Sequence, residues 1–270
     1  MKRVMLYFGS FNPIHCGHIA LAEYVVGEDL CDELVMVVSP QNPLKSTLEL
    51  APELERFTMA ELACSESKYP DRIKPSLIEF MLPKPSYTIN TLRHLQSEYG
   101  AGINFSILMG GDLVEQLERW KDYQEILNDY PIYLYPRRNE SVEKHLDKMI
   151  LLKDAPLFDI SSTEVRTAIM RGDDTKGMVS PEVLKHIKSH GLWSGESYEE
   201  ILTRQIEEHP LDPNIYMERG AWYYRNERWG DALNDFNRAL KIDPLHTEAL
   251  AMAKMAREIL DFRYTDIYNP

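Results

Sequence analysis

Short apolar runs alternate with helical patterns from Val4 to beyond Leu113, and this alternation restricts the chain to few folds. Val4–Phe8 precedes a helix opening at Gly17, Glu33–Val38 precedes one near Glu53–Cys64, Leu77–Phe80 precedes Tyr87–Tyr99, and Phe105–Met109 precedes a helix from Leu113 onward. Strands and helices taking turns at this spacing predict a doubly wound α/β architecture, a parallel sheet covered by helices on both faces. Ligands of such sheets bind beyond the carboxyl ends of the strands, where the strand order reverses.

Several unusual segments fall just after predicted strands. The first strand runs into Gly9-Ser10-Phe11-Asn12-Pro13-Ile14-His15-Cys16-Gly17-His18. Gly9 permits close backbone approach to a ligand and Pro13 stiffens the turn. Gly17 and His18 open a helix whose free amide groups suit phosphate. Two imidazoles three residues apart add donors without a permanent charge. The segment has neither G-x-x-x-x-G-K-[ST] nor G-x-G-x-x-G, which sets the common phosphate-loop and dinucleotide fingerprints aside. A metal site built from His15, Cys16 and His18 is not expected, because such close neighbours cannot all turn to one ion.

Gly110-Gly111-Asp112 follows the fourth run and combines close backbone approach with a carboxylate that suits ribose hydroxyls. Alternatively, Asp112 simply caps the next helix. In Ile160-Ser161-Ser162-Thr163-Glu164-Val165-Arg166, Ser161 and Glu164 have the spacing of a capping box, and Arg166 brings a bidentate fork to the first turn. Ser180-Pro181-Glu182 starts a further helix, with Pro181 in a tolerated position.

Composition removes several classes of function. With 44% hydrophobic and 27% charged residues the chain reads as a globular protein, and a formal charge of −13 disfavours nucleic acid or an anionic membrane as partner. An anionic substrate therefore needs a locally basic pocket. Cys16, Cys31 and Cys64 form neither a disulfide framework nor a zinc pattern. Met-Lys-Arg running straight into a short strand is no signal peptide, and no apolar run approaches a membrane span, so a reduced, cytoplasmic setting is expected.

These blocks, in this order, resemble the nicotinate-nucleotide adenylyltransferase branch of the nucleotidyltransferase superfamily over Met1 to about Trp193. The His15-Cys16-Gly17-His18 and Ile160–Arg166 blocks are shared with the whole superfamily. Pro85-Ser86-Tyr87-Thr88-Ile89-Asn90-Thr91-Leu92 and Arg119-Trp120-Lys121-Asp122-Tyr123 resemble the nicotinate branch in particular. The resemblance implies a Rossmann-like fold of the nucleotidyltransferase type over residues 1–194. It also implies transfer of the adenylyl group of ATP, carried with Mg2+, to nicotinate mononucleotide, without a protein nucleophile and without a metal site of the protein's own.

By the same resemblance His15, His18, Lys45 and Arg166 are the catalytic cations and donors. ATP is met by Gly9, Ser10, Phe11, His15, His18, Gly110, Asp112, Ile160, Ser161, Ser162 and Arg166. The acceptor is met by Ser10, Lys45, Tyr87, Thr88 and Trp120, with Trp120 on the pyridine ring and local backbone amides on its carboxylate. The chain departs from the pattern at Phe8, where many relatives have glycine, at Asn12, where many have aspartate, and at Leu44, where histidine is frequent. A preference for nicotinamide mononucleotide or another phosphate acceptor, and a silent nucleotide-binding scaffold, are the competing readings.

Beyond Ser197 the pattern becomes purely helical. Pro210 and Pro244 lie 34 residues apart, the period of a tetratricopeptide repeat. Tyr216, Gly220, Tyr223, Ala232, Phe236, Ala239 and Pro244 occupy the positions of one such repeat, flanked by helices at Tyr198–His209 and from Thr247 to about Arg263. Residues 197–270 are thus expected to form a small all-α tetratricopeptide-like domain behind a short linker near Trp193–Glu196. Repeats of this kind bind proteins, so a protein partner or self-association through the tail is implied. Its acidic balance suits a basic partner or simply a solvated face.

Overall fold

The computed structural model describes residues 1–40, 50–136, 144–195 and 198–267, with side chains to residue 262. The elements run β1 (Lys2–Gly9), α1 (Cys16–Gly27), β2 (Glu33–Val38), α2 (Glu53–Ser65), β3 (Ile73–Ser76), α3 (Ile78–Met81), α4 (Thr88–Tyr99), β4 (Ile103–Gly110), α5 (Gly111–Val114), α6 (Tyr123–Asp129), β5 (Ile132–Tyr135), β6 (Met149–Leu151), α7 (Ser162–Arg171) and α8 (Pro181–Ser189). Four further helices follow: α9 (Tyr198–Glu208), α10 (Pro213–Arg225), α11 (Trp229–Ile242) and α12 (Thr247–Ile267). They form two compact units, Met1–His186 and Ile187–Pro270.

In the first unit all six strands are parallel, in the order β3-β2-β1-β4-β5-β6. The order reverses at β1, which pairs with β2 through Gly9↔Val38 and with β4 through Tyr7↔Leu108. Such a sheet leaves a crevice outside the carboxyl ends of β1 and β4. A central strand is covered on both faces, which is why Val4, Met5, Leu6 and Tyr7 are all buried. Val4 and Leu6 pack with Ile89 and Leu92 of α4 and with Phe105, Ile107 and Met109 of β4. Tyr7 alternates to the opposite face and meets His18 of α1 edge to face, with ring centroids 5.9 Å apart.

The expected architecture is therefore present, with one element misassigned. The third strand is Ile73–Ser76, not Leu77–Phe80, and Ile78–Met81 forms one helical turn. Pro75 fits within β3 because this strand lies at the sheet's edge, where a missing N–H is tolerated. The helix expected from Leu113 begins at Gly111 and lasts a single turn, with Gly110 rather than Asp112 as its N-cap residue.

In the second unit Gly220 of α10 lies against Phe236 of α11. A Cβ at position 220 would stand 2.6 Å from Phe236 Cε1, so only glycine allows this approach. Arg219 adds a two-pronged bond to Asp235, donating from Nε at 2.7 Å and Nη2 at 2.9 Å. Tyr216, Tyr223, Ala232, Phe236 and Ala239 form the core together with Ala249, Ala253 and Ala256 of α12.

Candidate active site

The turn after β1 is held from several directions. Phe11 adopts a left-handed backbone with φ of 44°, a strained conformation for a bulky residue. Its ring lies over Gly9, where a Cβ would come within 2.9 Å of it. Gly9 is thus required first by this internal packing. The His15 amide donates to His18 Nδ1 at 3.1 Å, and the two imidazoles stack with centroids 3.6 Å apart. Because Nδ1 accepts, a neutral His18 carries its proton on Nε2.

The helix α7 is fastened to the same turn. Ser161 accepts from the Glu164 amide while Glu164 accepts from the Ser161 amide at 2.7 Å, which completes the expected capping box. Ser162 Oγ donates to the Pro13 carbonyl at 2.9 Å, and Arg166 Nη1 donates to the Asn12 carbonyl at 2.9 Å. The open end of α7, with its positive dipole, therefore faces the histidine turn. Asn12 Oδ1 accepts from the Ala51 amide at 2.9 Å, a backbone tie made through the side-chain oxygen that aspartate would also offer.

A cavity of about 410 Å³ occupies this place. Gly9, Ser10, Phe11, His15, His18, Gly110, Asp112, Ser161, Ser162 and Arg166 all line it, joined by Tyr135 and Leu113. At Gly110 a Cβ would meet Asp112 Oδ1 at 2.5 Å, so glycine lets the carboxylate fold back over the end of β4. Ile160 is half-buried ahead of α7 and stands outside the cavity lining. Lys45 lies outside the described residues.

A second cavity, about 270 Å³, adjoins the first along Phe8, Gly9, Ser10 and Leu113, which line both. Its walls include Tyr87, Thr88, Trp120 and Ile126, and Lys121 Nζ stands 5.2 Å from the centroid of the Tyr87 ring. The first turn of α4 opens here with Tyr87 as its N-cap residue and no side-chain cap, so its leading amides have no partner within the helix. Phe8 supplies apolar surface where the two cavities meet.

Two residues of this site escape a reading of motifs. Arg56 is fully buried, yet its guanidinium donates to the carbonyls of Ala51, Ser10, Ser39 and Pro40 at 2.6–3.0 Å. It ties the ends of β1 and β2 together. Burial lowers its pKa. The signal was present in the helical period, since Arg56 shares the buried stripe of Met59, Ala60 and Ala63. Glu79, on α3, is buried at the floor of the second cavity, and the misassigned strand hid it.

A six-stranded parallel sheet with an anion-receptive cavity at its switch point defines a nucleotidyltransferase-type domain. Residues 6–168 match the cytidylyltransferase-like family model, and residues 213–246 match that of the tetratricopeptide repeat. The chain is 39% identical over 194 residues to the "Probable nicotinate-nucleotide adenylyltransferase" of Flavobacterium johnsoniae, covering 71% of this chain and 98% of the relative. A relative of the same name from Bacteroides fragilis is 39% identical over 67% of this chain and 89% of its own. The solved Plasmodium falciparum nicotinic acid mononucleotide adenylyltransferase complexed with NaAD superposes with a TM-score of 0.62 at 18% identity, covering 73% of this chain and 99% of that one. The chain belongs to the nicotinate-nucleotide adenylyltransferase family.

Proposed function

We propose that the protein transfers the adenylyl group of Mg-ATP to nicotinate mononucleotide, giving nicotinate adenine dinucleotide and pyrophosphate in NAD biosynthesis. The observation that carries this reading is the junction of two unlike cavities at Ser10, one lined by His15, His18, Arg166 and the start of α7, the other by Tyr87 and Trp120. In our reading the triphosphate lies against His15, His18, Arg166 and the amides of α7, with adenosine toward Gly110 and Asp112. The acceptor lies with its ring between Tyr87 and Trp120, its carboxylate at the amides of α4, and its phosphate beside Ser10; Lys45, the phosphate contact the family resemblance implies, lies outside the described residues.

A phosphate oxygen of the acceptor attacks the α-phosphorus in line, the bond to the bridging oxygen breaks, and pyrophosphate departs with the electron pair. Positioning and charge stabilisation suffice for such a transfer. His18, donating from Nε2, and Arg166 offset the charge gathering on the leaving group. The magnesium ion travels with ATP as part of the substrate. No helix among the described residues is long and apolar enough to cross a membrane, and we place the protein in the cytoplasm, where ATP and mononucleotides are found.

We further propose that the catalytic module spans residues 1–194 and that residues 197–270 form a separate repeat-type module for a protein partner or a second copy. The activity is tested by pyrophosphate release with Mg-ATP and nicotinate mononucleotide, nicotinamide mononucleotide or phosphopantetheine. The highest kcat/KM is expected with the nicotinate form. ATP binding without turnover of any acceptor would instead favour a silent scaffold.

A further inference from the structure

The chemistry proposed above gives Glu79, in the acceptor cavity, no task. Glu79 is 2% exposed, and one of its carboxyl oxygens accepts from Thr91 Oγ1 of α4 at 3.0 Å. The other, Oε2, has no hydrogen-bond partner among the described residues, and neither do Ser10 Oγ and Ser86 Oγ. All three residues line the cavity that Tyr87, Thr88 and Trp120 enclose. Three orphaned polar atoms in one buried pocket are costly unless a ligand completes them.

The neighbours of Glu79 decide what kind of ligand this is. Hydroxyls face it, from Ser39 at the end of β2 and Thr91 on α4. The cations on the same cavity are Arg119 and Lys121, and Lys121 is turned to the Tyr87 ring and to Asn90 Oδ1 at 3.4 Å. Burial pushes the Glu79 carboxyl above its ordinary value, against the smaller opposing pull of the Ser39 and Thr91 hydroxyls. A neutral carboxyl is a hydrogen-bond donor, whereas an ionised one can only accept.

We infer that Glu79 is a specificity-determining residue of the acceptor site: in its neutral form it donates from Oε2 to the carboxylate of the pyridine ring, beside the open amides of α4. The inference rests on the proposed activity. Hydrogen bonds to an ionised acceptor are the stronger ones, so a neutral Glu79 favours the acid over the amide. An ionised Glu79 reverses the order, because two carboxylates repel and an amide N–H can donate to Glu79 instead.

The test is the ratio of kcat/KM for nicotinate over nicotinamide mononucleotide, followed from the acid to the alkaline limit of the protein's stability. Both acceptors carry the same phosphate and meet the same ATP, so every titration they share cancels. In the wild type the ratio should fall as pH rises. Glu79→Gln, a near-isosteric permanent donor, should keep the preference for the acid and flatten the pH dependence. Glu79→Ala should lower the ratio about tenfold at the acid end, the order of one charge-assisted bond. Thr91→Val removes the supporting hydroxyl and keeps the carboxyl, so it should lower both rates together and carry the preference to higher pH.

A ratio that Glu79→Ala leaves unchanged, or a wild-type ratio that stays flat or rises with pH, overturns the inference while the proposed activity stands. If Glu79→Ala does not fold, the pH profile of Glu79→Gln decides alone. Wild-type protein that turns over neither mononucleotide overturns the activity and the inference with it.

Discussion

His18 shows how a single contact can set a chemical role. The bond from the His15 amide fixes its Nδ1 as an acceptor and leaves Nε2 as the donor. His18→Ala should therefore cost about 2.7–4 kcal/mol of transition-state stabilisation, as loss of one preorganised donor does. The loss should appear in kcat for pyrophosphate release, with ATP binding far less affected. Glu79 offers a prediction on stability. Its folded-state pKa is raised above the unfolded value, so its contribution is most favourable below the unfolded pKa and declines as pH rises through the folded one. Glu79→Gln has no such decline. Its melting temperature should gain on that of the wild type as pH rises through this window, and a constant difference would contradict a neutral Glu79 in the native state.

At the scale of elements, what the sequence made legible follows physical rules. Ser161 and Glu164 announce a capping box because the reciprocal bonds depend only on local spacing. The first turn was legible because its glycine, proline and histidines stand in one short block. The edge strand β3 was not, since tolerance of Pro75 depends on its place in the sheet, which no local pattern states. Arg56 and Glu79 were hidden for a related reason: their partners are backbone and side-chain groups on distant elements, brought close only by the fold. In the helical unit, Gly220→Ala should destabilise by about 1–3 kcal/mol, the usual cost of forcing an added methyl into packed surroundings. Gly230→Ala, on α11 with open space around it, should instead be neutral or stabilise by up to about 1 kcal/mol. Thermal melts of the two variants would separate close packing from a general effect of substituting glycine.

On the scale of the whole molecule, the two units own separate cores: Val4, Leu6, Ile89 and Ile107 belong to one, Tyr216, Tyr223 and Phe236 to the other. A chain ending at Gly195 should therefore retain pyrophosphate release with an unchanged acceptor preference. An insoluble or inactive product would show that the helical unit is structural. The anion-receptive cavity sits on a body of formal charge −13. On the proposed reading, attraction for polyanions is local, supplied by His15, His18, Arg166 and helix ends, and rising salt should weaken substrate binding only moderately.

The shared wall of Phe8, Gly9, Ser10 and Leu113 has a consequence for timing. Two substrates enter as separate bodies, each surrendering its own freedom of motion, whereas the dinucleotide they become is a single body anchored at both ends. A tethered pair re-seats whichever half lets go first. On the proposed placement of the substrates, the joined product should accordingly linger after pyrophosphate has gone, and its release from the two chambers together should pace turnover.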